Sequence, residues 1–379
     1  MQTLQPTLRL GRDVWDRTVM PVEEFHDRAR RLRETMGRRG LDAMLLYGAG
    51  LNGCGHPTYL SNYIVKLPFS ALVVLPREGE PALMFEGATR GRAAAKATTW
   101  IEDVRPCWNM AETCLAVLAD RGLMAATIGL AGLPRLVPYA EWSTLAAGLA
   151  RATLVEAEDI VDGQRAIKSA REIAQVQRAS RLVDQALASI PEGYRVGRPE
   201  GLHYIGTESG LAALVMREAR TQGAEDIRLL IARPGESDWA FRPAGDAAFA
   251  DGDTVSVHLG ASWERYWSEA IRTYVVRADR LDRAWNGELE ARFRRIAAGA
   301  TPGVSVAEWI RAAGAALSAA ELRSIDPYGL GHGIGVTPEE SPVLAADSTA
   351  TIESGMCLVV RAVLTGDCGL VVHSDTIVV

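Results

Sequence analysis

The sequence predicts an α/β domain over 1–162 followed by an α+β domain over 163–379. Three observations predict it. Helix and strand signals alternate through the first half, the pattern of a layered α/β domain. A helix-opening signature, Ser169-Ala-Arg-Glu172, follows a boundary region at 161–168. The second half is then dominated by strand signals, and 379 residues are enough for two domains with buried cores.

In the first half, 21–38 carries apolar residues at helical spacing among many charges, and Gly40 ends it. A buried strand is expected over 41–47. Two strands, 71–75 and 82–85, flank the turn 76–81. A short helix over 88–97, a strand over 100–104 and a helix over 110–120 come next. The segments 127–131, 139–149 and 154–161 complete the alternation. No phosphate loop or dinucleotide pattern occurs in it.

Ser169 and Glu172 have the spacing of a capping box, in which the serine accepts an exposed amide and the glutamate reaches back. The helix they open carries Ile173, Val176, Ala179, Val183 and Leu187 on one face. Further helical signal lies at 213–219 and a strand at 227–232. Ser305-Val-Ala-Glu308 repeats the capping-box spacing, with Val306, Trp309, Ile310, Ala313 and Leu317 inward. The segments 356–364 and 370–379 are two more strands.

Two stretches carry chemistry. In 253–273, DTVSVHLGASWERYWSEAIRT, Val255, Val257 and Leu259 alternate with polar residues at the period of a half-buried strand. A second β-prone run covers 266–276. A four-residue turn at 262–265 sets His258 opposite Glu269, with Cβ atoms roughly 5 Å apart on one face. A plain surface pair on an exposed hairpin is the alternative. The second stretch, YGLGHGIGVTPEESP over 328–342, sets Gly329, Gly331, Gly333 and Gly335 around His332 in a loop-like run. Glycine permits close backbone approach to a ligand or strand; the plain alternative is a turn whose histidine bonds only to backbone.

Composition narrows the classes. Hydrophobic residues at 48% and charged residues at 23% fit an ordinary globular protein. With 41 basic and 47 acidic residues the net charge is -6, which argues against a nucleic-acid partner. No apolar run approaches the ~20 residues of a membrane span. The first residues lack the apolar core of a signal peptide. Cys54, Cys107, Cys114, Cys357 and Cys368 are scattered and read as reduced thiols of a cytoplasmic protein.

These stretches resemble the creatinase, prolidase, aminopeptidase P and methionine aminopeptidase superfamily. GLDAMLLYG and PTYLSNY resemble its N-terminal domain. The segment 165–173 is similar to its R-x-I-K-S-x-x-E-I, GLGHGIG resembles its histidine loop, and His373-Ser-Asp-Thr376 falls where the last ligand strand ends. The resemblance implies a pita-bread C-terminal domain, a small-molecule substrate and a homodimer. It also implies where metal ligands would stand, and there the chain departs. The two aspartate positions of the peptidases hold His258 and Glu269. The loop histidine is kept as His332, the first glutamate position falls on Arg361 and the last on Ser374. The second catalytic histidine aligns with Glu339, with Glu340 and Pro342 keeping the local pattern. An upstream histidine aligns with Phe241. Two divalent ions need several carboxylates, and Arg361 stays charged at any accessible pH, so a two-metal centre is not expected.

Three readings follow. In the first, the protein is a metal-free, creatinase-like hydrolase of a C–N bond in an amino-acid-like, guanidino or amide substrate. Arg361 would grip a substrate carboxylate, His332 or His258 would move protons, Glu269 would orient the imidazole or hold a cationic nitrogen of the substrate, and Glu339 and Ser374 would complete the wall. Elimination chemistry stays open. In the second, His258, Glu269 and His332 hold one Fe or Zn ion, serving a lyase or oxidative reaction. In the third, the fold is an inactive binding module. The changed positions are mostly polar, whereas an abandoned site fills with apolar residues. Trp239, Phe241, Trp263, Tyr266 and Trp267 cluster near the hairpin as core or as an aromatic wall. Trp239, Phe241 and Tyr266 are candidate substrate contacts, and the resemblance adds Asn62 and Tyr63, reaching a partner's pocket in creatinase-like dimers.

Overall fold

A computed structural model describes residues 14–65, 68–190, 206–233, 240–276, 284–315, 317–318, 321, 329–366 and 369–379. The chain divides into two compact units, 1–165 and 166–379.

The first unit opens with α1 (Val22–Arg39), whose Phe25, Ala29, Leu32 and Met36 form one buried stripe. Gly40 ends it in the left-handed region at φ 67°. The strand β1 (Ala43–Ala49) is buried up to Gly48. Met44 and Leu46 join the core on one face of the sheet, Leu45 and Tyr47 the core on the other. The short helices α2 (Gly50–Gly53) and α3 (Gly55–Ser61) follow, then β2 (Ser70–Pro76) and β3 (Ala82–Glu86). The helix expected over 88–97 is a 3-10 turn and then α4 (Arg92–Thr98), and the strand expected over 100–104 is β4 (Asp103–Cys107). Next come α5 (Met110–Asp120), β5 (Thr127–Ala131), α6 (Leu133–Leu136) and α7 (Tyr139–Gly148). The stretch 154–161 is shared by β6 (Thr153–Glu156) and α8 (Glu158–Ala166). The strands order as β4-β3-β2-β1-β5-β6, mixed parallel and antiparallel.

The second unit begins at a complete capping box. Ser169 Oγ accepts from Glu172 N, and Glu172 Oε2 accepts from Ser169 N, at the start of α9 (Ala170–Ala188). The helix α10 (Glu208–Thr221) and the strands β7 (Ile227–Ala232), β8 (Thr254–Trp263) and β9 (Tyr266–Val275) follow. Then come α11 (Ala284–Ala297), α12 (Val306–Gly314), β10 (Gly331–Gly333), β11 (Glu340–Val343), β12 (Cys357–Gly366) and β13 (Gly369–Val378). The capping box expected at Ser305 does not form: its side chain makes no cap bond, and the adjacent Val306 N donates to Ala350 O at 3.0 Å.

The seven strands order as β11-β10-β12-β13-β9-β8-β7 and every pairing is antiparallel. Leu182, Val183, Ala186 and Leu187 of α9 pack on Val255, Val257, Leu259 and Ala261 of β8. Residues of α11 and α12 pack on Leu358, Val360 and Ala362 of β12. Successive strand residues face opposite ways, so His258 and Arg361 lie on the face turned away from those helices. Between β9 and β13 only Ser374 and Ile271 form a ladder pair. Side chains supply the rest of that seam. Thr376 Oγ1 accepts from Glu269 N and donates to Glu269 O, each at 3.1 Å, and Arg272 Nη1 donates to Ser374 O at 2.7 Å.

The two serines therefore differ in worth. Ser169→Ala is expected to cost about 1 kcal/mol in urea unfolding, and Ser305→Ala less than about 0.5 kcal/mol. Equal costs would contradict the assignment of the caps.

Candidate functional site

The site is built on β8, β9, β10, β12 and β13. Its hairpin closes two residues tighter than the sequence predicts. Trp263 pairs with Tyr266, so the turn is Glu264-Arg265 alone, and His258 lies opposite Ile271 while Glu269 lies opposite Gly260. Both turn residues have positive φ, 45° and 71°, as a two-residue hairpin requires. Glycine or asparagine usually fills such places. Here Glu225 compensates, taking Arg265 N at 2.8 Å and Arg265 Nη1 at 3.1 Å in a buried contact. A shift of two residues keeps the face, because strand period is two. His258 Nε2 consequently still reaches Glu269 Oε2, at 3.2 Å.

His332 sits in what the sequence suggested was a loop and is the strand β10, paired with Val359 of β12. Its flanking glycines are required by crowding. A Cβ on Gly331 would stand 1.8 Å from Val359 O, and one on Gly333 2.3 Å from Ser341 O. His332 Nδ1 lies 2.9 Å from Gly333 O. A carbonyl only accepts, so Nδ1 carries a proton and the neutral ring presents a lone pair at Nε2.

Arg361 supplies the donor for that lone pair. Its Nη2 donates to His332 Nε2 at 3.0 Å and to Glu269 Oε1 at 3.0 Å. Glu269 is 2% exposed, so ionisation needs partners. Burial alone would raise its carboxyl, but His258 and then His332 hold it well below the usual carboxylate range. Ser374 lies opposite Arg361 and is fully buried, and its Oγ has no hydrogen-bond partner. The ring of Phe241 meets His258 edge-on at 5.6 Å between centroids. Its neighbour Arg242 is clamped by Glu208, which also takes Gly245 N at 2.9 Å and Arg233 Nε at 2.9 Å. The Arg242 guanidinium foremost holds Glu208 down to a pKa of about 2, against the opposing effect of burial.

The structure thus brings His258, Glu269, His332 and Arg361 into contact, with Ser374 and Phe241 beside them. Two other expected residues lie elsewhere. Glu339 is exposed and pairs with Arg228 at 2.9 Å. Tyr266 is buried with its hydroxyl on Glu172 at 2.9 Å, bracing the start of α9. Asn62 and Tyr63 are interior to the first unit, Asn62 Nδ2 donating to Thr98 O and Tyr63 packing on Phe85. Trp239 lies outside the described residues. Two contributors went unsingled in the sequence. Thr376 ties Glu269 to β13, and Lys168 makes a buried ion pair with Glu340 at 3.1 Å behind the His332 strand. Both lie inside quoted motifs, which is the signal that pointed to them.

Residues 174–379, more than half the chain, match the model of Metallopeptidase family M24, and 28–167 match the Creatinase/Prolidase N-terminal domain. The chain belongs to family M24. This M24 chain is 26% identical over 299 residues to a probable dipeptidase, PepE, of Mycobacterium tuberculosis, covering 75% of this chain and 74% of that one. It is 26% identical over 208 residues to the Xaa-Pro dipeptidase of Pyrococcus horikoshii, covering 54% and 57%. Its fold is that of the X-Pro aminopeptidase structure from Thermotoga maritima, with TM-score 0.74, 19% identity and coverage of 93% and 94%. The two units are therefore a creatinase/prolidase N-terminal domain and a pita-bread domain, as the motifs implied.

The family name implies metal, and the donor set of this M24 chain does not fit a metal pair. Among the described residues Glu269 is the one carboxylate in the cluster, and a guanidinium nitrogen stands 3.0 Å from both it and His332. A cation is already built in where those two donors converge. The same nitrogen obstructs a single ion on His258, Glu269 and His332. Both Nη2 protons are spent on Glu269 and His332, so that nitrogen of Arg361 has an internal role.

Arg361→Ala leaves a buried carboxylate uncompensated and is expected to cost about 3 kcal/mol or more in denaturant unfolding. Adding Glu269→Gln is expected to restore part of that loss; an unrelieved double variant would contradict the pairing. Glu208 has its pKa lowered on folding, so its contribution is present above its ordinary value of 4.5 and is lost as pH falls through about 2. Glu208→Gln should flatten the stability curve over that window, and an unchanged curve would contradict the clamp.

Proposed function

We propose that the protein is a metal-independent hydrolase that cleaves a C–N bond in a small amino-acid-like, guanidino or amide substrate. One observation carries this reading: the Arg361 guanidinium is locked between Glu269 and His332, 3.0 Å from each. It supplies, as part of the chain, the fixed positive charge that metal ions provide in a metallopeptidase. The curated relatives are dipeptidases, and a peptide bond is a C–N bond, so their names support hydrolysis at this site.

In this reading Arg361 neutralises Glu269 and fixes the ring of His332, leaving a site of low net charge. Such a site suits the carbon of a neutral amide, or that of a guanidinium, which carries its own positive charge. Water is the nucleophile and an imidazole is the group that moves its proton. Phe241 beside His258 supplies an apolar wall. The homodimer that the family resemblance implies is retained as part of the proposal.

The test uses protein purified without chelator or metal-affinity tag. Elemental analysis is expected to find less than about a tenth of an equivalent of any transition metal, since a true site retains its ion. Amino-acid amides, guanidino acids and Xaa-Pro dipeptides are then assayed with and without EDTA. Turnover of an amide or guanidino acid should survive EDTA and fall at least ~100-fold in Arg361→Ala, the loss typical of an electrostatic group. Roughly one or two equivalents of metal, or dipeptide hydrolysis abolished by EDTA, would overturn the proposal.

A further inference from the structure

Gly260 is a glycine that its own strand does not require. It lies inside β8, opposite Arg228 of β7 and Glu269 of β9, and directly opposed residues project to the same face. Its φ is outside the left-handed region. A Cβ built on it meets Glu269 Cβ at 3.7 Å and Arg228 Cβ and Trp267 Cε3 at 3.8 Å, all ordinary contacts. A Cβ on Gly331 or Gly333 has no such room. Glycine inside a strand weakens it, and where neither backbone nor packing demands one it marks a place where a ligand comes close. Gly260 is buried, so its missing side chain leaves a methyl-sized recess in the site wall, between the carbon stems of Arg228 and Glu269.

Arg228 stands on the exposed side of that recess. Its side chain is 31% exposed, and its Nη1 donates to Oε1 of Glu339, itself 48% exposed, at 2.9 Å. Glu339 reaches it from a segment whose other end is pinned on β9, where Trp267 N donates to Gly335 O at 2.7 Å. A carboxylate supplied by the chain thus already sits on the cation beside the recess. An exposed ion pair adds little stability, so a second carboxylate can take Glu339's place. Glu269, on the recess's other side, is held ionised, which favours a single negative charge on the newcomer over a double one.

We infer that Arg228 receives the carboxylate of a short-chain, amide-bearing acid in exchange for Glu339, and that Gly260 makes room for the carbons joining that carboxylate to the C–N bond. The bound acid runs from Arg228 across the recess toward Glu269 and Arg361. Glu339 is the stand-in that the ligand displaces. The substrate role rests on the hydrolase proposed above; the carboxylate subsite does not.

Saturation-transfer NMR on the full-length protein, with N-acetylglycine and its neutral counterpart N-acetylglycinamide, reads binding and any hydrolysis together. Wild type is expected to hold N-acetylglycine at least ~3-fold more tightly than the carboxamide, and Glu339→Gln, which lacks the competing carboxylate, at least ~10-fold more tightly. Arg228→Met should erase the preference. Gly260→Ala should weaken both ligands at least ~5-fold by filling the recess, while raising the urea midpoint because alanine suits a strand better than glycine. A glycine with only a structural role would not separate those two readouts. A preference that persists in Arg228→Met would overturn the assignment, as would a lack of saturable N-acetylglycine binding to Glu339→Gln. Undiminished binding in Gly260→Ala would overturn the role of the recess. Charge-selective binding by a protein that turns over no amide, guanidino acid or dipeptide would overturn the hydrolase and leave the subsite standing. Amide-acid turnover whose KM is unchanged in Arg228→Met would overturn the subsite and leave the hydrolase.

Discussion

A single buried carboxylate organises the second unit. Glu269 is 2% exposed, and a charge removed from water is stable only when neighbours replace the lost hydration. Arg361 of β12 donates to it at 3.0 Å, and His332 and His258 approach it from two further strands. Each strand's place follows in part from this demand. The β10 strand must approach close enough for His332 to reach, which is why Gly331 and Gly333 have no room for a side chain. The β9–β13 seam must open a full ladder for one pair and be stitched by Thr376 and Arg272 instead.

Around that carboxylate the scaffold repeats one device, a buried acid holding a segment through an arginine or lysine. Glu208 holds the Phe241–Gly245 segment through Arg242 and Gly245 N. Glu225 holds the hairpin turn through Arg265. Glu340 takes Lys168 and caps Thr337 N. Such pairs are weak evidence for net stability, since desolvation offsets much of their attraction. Their geometric value is clearer: each fixes a backbone that no regular ladder or helix would hold. Phe241 meets His258 because its neighbour is clamped.

Family membership and site chemistry point in different directions here. The M24 match covers more than half the chain, and the helices, sheets and hairpin follow the family. In the proposed reading, the ligand positions that the resemblance implies hold His258, Arg361 and Ser374, and the Arg361 guanidinium between Glu269 and His332 supplies from the chain the positive charge that metal would bring. The fold alone does not specify an activity.

The sequence by itself determined the α/β and pita-bread folds, the helix starting at Ser169, and the meeting of His258 with Glu269. These follow from local rules: period-two alternation, a capping spacing, and motifs read in chain order. The His–Glu meeting survived a two-residue error in the turn because strand parity, not the exact register, decides which face a residue takes. Tertiary structure alone decided the rest. Glu339 is adjacent in sequence to Glu340, yet one is drawn out to Arg228 and the other in to Lys168. Tyr266 looked like a pocket aromatic until Glu172, 94 positions away, claimed its hydroxyl. Ser305 has the capping spacing of Ser169 but makes no side-chain cap bond, and the backbone beside it pairs with a distant segment through Val306 N and Ala350 O. Each outcome is a competition among hydrogen-bond partners distant in sequence, which local pattern does not encode.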